Sequence, residues 1–203
     1  MSANGEPLTA TTAPRSAALP LPDVPMAAGD VDSNPAGIGL VALLVEDFQT
    51  HGSDPLSAGF WTLAFHRLGN ARMSIRHKWL RVPATLAYRS LHRAGVVLWG
   101  IDLPYNMKIG RRFRLGHHGC VHIGAREIGD DVIIRHSVTI GLLRHKTLRF
   151  PKIGNRVEVG PGAAIVGAVD IGDDCFIGAN TVVGRDLPDG VEAIGIPLRI
   201  RKR

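Results

Sequence analysis

The sequence predicts a mainly β protein: a left-handed parallel β-helix of hexapeptide repeats, preceded by a small N-terminal α-helical region. Two observations carry that expectation. Aliphatic residues recur every six positions at Leu103, Ile109, Leu115 and Val121; after one extra residue at Ile128, Ile134 and Ile140; and after a longer insertion at Ile153, Val159, Ile165, Ile171, Ile177 and Val183. Glycine directly follows many of them (Gly110, Gly116, Gly129, Gly141, Gly154, Gly160, Gly172, Gly178, Gly184), and a second small or apolar residue stands four positions on (Met107, Phe113, Gly119, Val132, Val138, Val157, Ala163, Val169, Cys175, Thr181).

A helix with 3.6 residues per turn cannot hold a six-residue register on one face. Three hexads per coil can, because each side of a triangular prism then sends one aliphatic residue inward, with coils stacked at strand spacing of about 4.8 Å. Glycine is expected to ease the corners through its conformational freedom. The thirteen aliphatic positions make about four coils. The segment 142–152, which carries Arg144, His145, Lys146 and Arg149, breaks the register and then restores it, so it is expected to leave the prism as a loop.

The preceding residues follow other rules. Residues 1–36, rich in Ala, Pro, Ser and Thr without an apolar period, read as a disordered leader. Residues 37–100 read as three helices, over about 37–49, 58–73 and 83–98, from apolar residues at helical spacing such as Phe60, Leu63, Ala64 and Leu68. Pro83 is expected in the first turn of the third. Residues 101–190 hold the prism and 191–203 a C-terminal segment.

Composition narrows the partners. A net charge of +6 and a pI near 9.9 point to an anionic partner, but no nucleic-acid-binding motif is present and the cations are scattered apart from the tail Arg199–Arg203. Two cysteines make no disulfide framework. With no secretory pattern at the start and no apolar stretch of membrane-spanning length, the expected setting is the cytoplasm, with neither nucleic acid nor membrane as partner.

The motifs Gly100-Ile101-Asp102-Leu103-Pro104 through Ile109-Gly110-Arg111, Leu115-Gly116-His117, Ile128-Gly129-Asp130-Asp131-Val132, Ser137-Val138-Thr139-Ile140-Gly141 and Gly195-Ile196-Pro197 resemble the serine acetyltransferase family over roughly residues 47–200. The resemblance implies an acetyl-CoA-dependent O-acetyltransferase acting on L-serine in cysteine biosynthesis. It also implies a homotrimer or dimer of trimers with active sites between neighbouring prisms. By the same resemblance His117 matches the catalytic base and Asp102 its carboxylate partner. Asp54 of Asp54-Pro55 matches a contact to the substrate amine, and Arg149 a contact to the substrate carboxylate, a task that suits a bidentate guanidinium.

The chemistry is consistent with those residue types. A hydroxyl attacks a thioester well only as its proton is removed; an imidazole titrates near working pH and a carboxylate can steady it. Asp102 and His117 are 15 residues apart, three short of an 18-residue coil, which makes contact around a corner possible. Acetyl-CoA needs an extended groove and cations: Gly160, Gly178 and Ala179 are expected beside the pantetheine, and Arg199, in a segment resembling the family's Gly-x-Pro-Ala-Arg turn, beside the phosphates. No metal is expected, since adjacent coils cannot easily gather His117, His118, Cys120 and His122 around one tetrahedral ion. Cys120 carries no mark of an activated nucleophile.

Two positions depart from the family. Gly116 stands where aspartate is typical, and Phe150 where a histidine follows the loop arginine. The first removes a carboxylate from the surroundings of a substrate ammonium, the second a polar group from the pocket wall. A sugar or other small hydroxyl acceptor in polysaccharide biosynthesis therefore stands as the alternative to L-serine.

Overall fold

The structure is a computed structural model and describes residues 31–116, 119–142, 149–196 and 198–202. The expected leader lies outside these residues up to position 30, as do His117, His118 and the loop cations Arg144, His145 and Lys146.

Three helices come first: α1 (Leu40–Thr50), α2 (Ala58–Ala71) and, after a 3-10 turn over Arg72–Ser74, α3 (Lys78–Trp99). Ser57 caps α2, its hydroxyl accepting from the Phe60 N–H. Gly100, in the left-handed region at φ 65°, ends α3. That helix begins five residues earlier than the sequence suggests, so Pro83 stands inside it rather than in its first turn. Proline lacks the N–H that would reach the carbonyl four residues back. Here that carbonyl belongs to Trp79, on the solvent side of the helix, where water can serve it.

From Ile101 the chain winds into a left-handed parallel β-helix with three sheets as its sides. The first side stacks Ile101–Asp102, Val121–Ile123, Thr139–Gly141, Ala164–Val166 and Val182–Val183. The second stacks Lys108–Ile109, Glu127–Ile128, Lys152–Ile153 and Asp170–Ile171. The third stacks Arg114–Leu115, Ile133–Ile134, Glu158–Val159, Phe176–Ile177 and Val191–Ile194, and ends with Arg199–Lys202 as an antiparallel edge. All thirteen hexad aliphatics point inward and are less than 5% exposed. Of the second set, all but the half-buried Gly119 join them in the core.

The register differs from the hexad count at one place. Val121 pairs with Ile101, while Ile123 pairs with Ile140 and carries the column onward. The chain thus takes two extra residues between Leu115 and Ile123 and recovers one before Ile128. Val121 satisfied the six-residue count because it too faces inward, one pleat earlier.

The corners also differ from expectation. Many left-handed corner positions hold non-glycine residues: Arg112, Cys120, Asp131, Ser137, Arg156, Asp174 and Asn180, all with φ between 52° and 59°. Two neighbouring coils share each cost through ion pairs, Arg112 Nη2 to Asp131 Oδ2 at 2.7 Å and Arg156 Nη2 to Asp174 Oδ2 at 2.8 Å. The glycines after the aliphatics serve close approach instead. A Cβ on Gly110 would stand 2.5 Å from the Gly129 carbonyl oxygen, and one on Gly129 2.7 Å from the Gly154 carbonyl carbon. Beside this glycine column runs a ladder of side-chain acceptors. The N–H groups of Arg111, Asp130, Asn155 and Asp173 donate to Oδ1 of Asp130, Asn155, Asp173 and Asp189, at 2.7 to 2.9 Å.

The helices close the first coil. Arg67, fully buried, donates to Asp47 Oδ2 at 3.0 Å and to the Ile109 and Gly110 carbonyls at 2.7 and 2.6 Å. His51 donates from Nδ1 to the Asp47 carbonyl at 2.7 Å and accepts at Nε2 from the Leu115 N–H at 3.2 Å. Burial lowers its pKa, which keeps the imidazole neutral and fit for both roles.

Candidate active site

Asp102 lies on the outward side of the first strand, where the alternation that buries Ile101 and Leu103 turns its carboxylate out of the core. Register sets His122 directly opposite it on the next coil. The two meet: His122 Nδ1 is 3.0 Å from Asp102 Oδ2. A second imidazole arrives from α3, with His92 Nε2 3.2 Å from Asp102 Oδ1. The His92 ring stacks on Tyr88 at 5.6 Å, and the Tyr88 hydroxyl accepts from the Tyr105 N–H at 3.2 Å, so the inner face of α3 is fastened to the start of the prism. The His92 contact, and after it the charge of His122, hold the Asp102 carboxyl below its usual value, against the opposing effect of burial.

His117, which the family resemblance pairs with Asp102, lies outside the described residues. His92 and His122 are partners of Asp102 that the hexad count does not disclose. His122 was detectable in principle, since it follows Asp102 by one coil once the two-residue insertion is counted. His92 sits on another element, and nothing local marks it.

The substrate-side residues have structural occupations. Asp54 is exposed and its Oδ1 accepts from the Leu56 N–H at 2.9 Å, an Asx turn before α2. Arg149 is 7% exposed and donates from Nη2 to Asp170 Oδ2 at 2.8 Å. Arg126 takes the other oxygen of Asp170 at 2.6 Å. The Nε of Arg149 is buried without a partner among the described residues. Phe150 covers Gly124, where a Cβ would stand 3.2 Å from its ring.

The residues expected along a CoA groove are spread over the later coils. Gly160 and Gly178 lie on the third side and donate their N–H groups to the Ile177 and Ala193 carbonyls at 2.7 and 2.8 Å. Ala179 is exposed at the adjoining corner. A Cβ on Gly160 would stand 2.7 Å from the Ala179 N, so coil stacking alone demands glycine there. Arg199 is exposed and, with Ile194, Gly195, Ile196 and Arg201, lines a shallow cleft at the C-terminal end. Arg201 is engaged by Glu192 at 2.7 Å. Within one chain Asp102 on the first coil and Arg199 beyond the last are not brought together. Among the described residues no group of three His, Cys, Asp or Glu side chains is arranged to hold a metal ion.

Comparison with known proteins agrees with this architecture. The bacterial transferase hexapeptide family (six repeats) matches residues 150–185. A serine acetyltransferase of Helicobacter pylori is 47% identical over 109 residues, 53% of this chain and 64% of that protein. The chain therefore spans less than two thirds of that relative's length. The serine acetyltransferase of Brucella abortus in complex with coenzyme A superposes with a TM-score of 0.65 at 26% identity, covering 79% of this chain and 67% of that one. Soybean serine acetyltransferase complexed with serine gives 0.64 at 28% identity, covering 80% and 69%. In repeat, sequence and fold, this chain is similar to the serine acetyltransferases.

Proposed function

We propose that the chain is an acetyl-CoA-dependent O-acetyltransferase, with L-serine as the acceptor indicated by its relatives, and so a contributor to cysteine biosynthesis. The observation that carries this reading is the outward Asp102 carboxylate, engaged by imidazoles and held ionised at the first coil of an acetyltransferase prism. Relatives bind coenzyme A and serine.

In the proposed reaction His117 takes the acceptor's hydroxyl proton as the oxygen attacks the thioester carbonyl carbon. The C–S bond breaks, the proton passes to the departing sulfur, and an O-acetyl ester and free CoA leave. No acyl group rests on the protein. Asp102 orients the imidazole and stabilises its charged form. The basic cleft at Arg199 suits the CoA phosphates, and Gly160, Gly178 and Ala179 offer a surface low enough for the pantetheine arm. A trimer, alone or doubled, would complete each groove from a neighbouring prism, in the cytoplasm.

A second reading has its own observation. Asp54 is held in a turn and Arg149 in an ion pair with Asp170, and Gly116 and Phe150 offer no charge. A pocket with these residues so occupied lacks hooks for an α-amino acid and suits a sugar or other uncharged hydroxyl compound. Steady-state release of CoA thiol with serine, and separately with a panel of sugars, decides. Serine turnover with a KM that rises in Arg149→Ala supports the first reading; turnover of sugars alone supports the second.

A further inference from the structure

The segment between Asp54 and Asp102 contains no acidic residue but seven Lys or Arg: Arg67, Arg72, Arg76, Lys78, Arg81, Arg89 and Arg93. Arg67 and Arg72 are buried by the contacts that hold the helices together. Lys78, Arg89 and Arg93 are exposed on α3, and none of them is in an ion pair among the described residues.

The same helix leaves large apolar side chains in solvent. Trp79, Val82, Leu86 and Val97 are 72%, 67%, 68% and 76% exposed. At about 100° per residue, all four fall within roughly 60° of the line opposite Tyr88, the buried face that packs on α2 and the prism. By the same count Lys78 and Arg89 border that stripe on one side, and Arg93 falls within it between Leu86 and Val97 along the helix. Scattered exposed aliphatics are ordinary, but four large apolar side chains on one side of a 22-residue helix, led by a tryptophan and with no charged neighbour on that helix other than cations, are not.

We propose that this face of α3 docks the protein on an anionic lipid surface. The pattern has the parts such attachment uses: an apolar stripe to enter the headgroup boundary, a tryptophan at interfacial depth and flanking cations for acidic headgroups. Charge complementarity selects this occupant over the same face of a second copy, since two acid-free faces would set cation against cation. The absence of any described helix long and apolar enough to cross a membrane is consistent with attachment at the surface. The expectation from sequence of no membrane partner rested on the lack of a span, and the proposal departs from it.

The test uses the full chain in vesicle co-sedimentation, comparing phosphatidylcholine alone with vesicles of about 30% phosphatidylglycerol, at low and high salt. The bound fraction should be about tenfold or more higher on anionic vesicles and should fall steeply with salt. The Lys78→Glu, Arg89→Glu, Arg93→Glu triple variant should lose about tenfold of that binding, while Arg185→Glu, an exposed charge reversal off this helix, should keep it. Equal retention on neutral and anionic vesicles, or undiminished binding by the triple variant, would overturn the proposal. So would a larger oligomer that Trp79→Ser with Leu86→Ser reduces to a smaller one while wild type ignores vesicles; a second copy would then cover the face.

Discussion

Asp102 and His122 are cross-strand neighbours on consecutive coils, with the His122 Nδ1 3.0 Å from Asp102 Oδ2. The pairing is a product of register. Two extra residues between Leu115 and Ile123 bring His122, rather than a residue nearer His117, level with Asp102. The carboxylate is shared with His92 of α3, so the proposed catalytic carboxylate also ties the helical region to the prism.

That double role separates two substitutions. His92→Ala should loosen α3 and lower the melting temperature by a few degrees, with transfer reduced less than tenfold. His117→Ala should cut transfer by about 10²- to 10⁴-fold with little change in melting. Parallel melts and initial rates on both variants check this.

Arg67 is the residue on which helix docking depends. Its removal strands Asp47, which is fully buried, and frees the Ile109 and Gly110 carbonyls. Arg67→Ala should cost about 3–5 kcal/mol. Arg67→Ala with Asp47→Ala should cost less than the sum of the two single changes, because the stranded charge is gone. Urea titrations of the three variants measure it.

Histidine burial gives a direction for pH. His66 donates from Nδ1 to the Pro104 carbonyl at 3.0 Å, and burial, with the Arg67 charge next, lowers its pKa to about 3. The unfolded chain protonates this group below its ordinary 6.5, whereas the folded chain stays neutral until about 3. Its contribution is therefore complete above 6.5 and is lost as pH falls toward 3, at up to about 1.4 kcal/mol per pH unit. His51, lowered in the same direction, adds to the slope. Melting temperatures from pH 7 to 4.5 should fall, less steeply in His66→Gln.

The glycine column separates contact from conformation. Gly129 has no room for a Cβ, whereas nothing among the described residues lies within 4 Å of one at Gly141. Gly129→Ala should destabilise by about 1–3 kcal/mol through forced coil separation. Gly141→Ala should be near neutral. Thermal melts of both variants distinguish this account from one in which every repeat glycine serves backbone freedom.

The prism was legible because inward residues must recur with the coil, and a six-residue aliphatic period has no other ready geometry. The helices were legible from their 3.6-residue period. What escaped were features set by neighbours rather than by spacing. Val121 met the period and hid the two-residue shift that places His122. The glycines read as corner residues, yet Arg112, Asp131, Arg156 and Asp174 turn one corner and the glycines yield room between coils. Arg149 looked like a ligand for a carboxylate and has one inside the chain, Asp170.

The central claim is acetyl transfer at the Asp102 corner. The most direct measurement is acceptor-dependent release of CoA thiol from acetyl-CoA by the wild type and by Asp102→Asn. The account predicts release that requires a hydroxyl acceptor and falls by about 10²-fold or more in the variant, with folding retained. Equal turnover in both proteins, or no acceptor-dependent release with serine or any sugar of the panel, would contradict it.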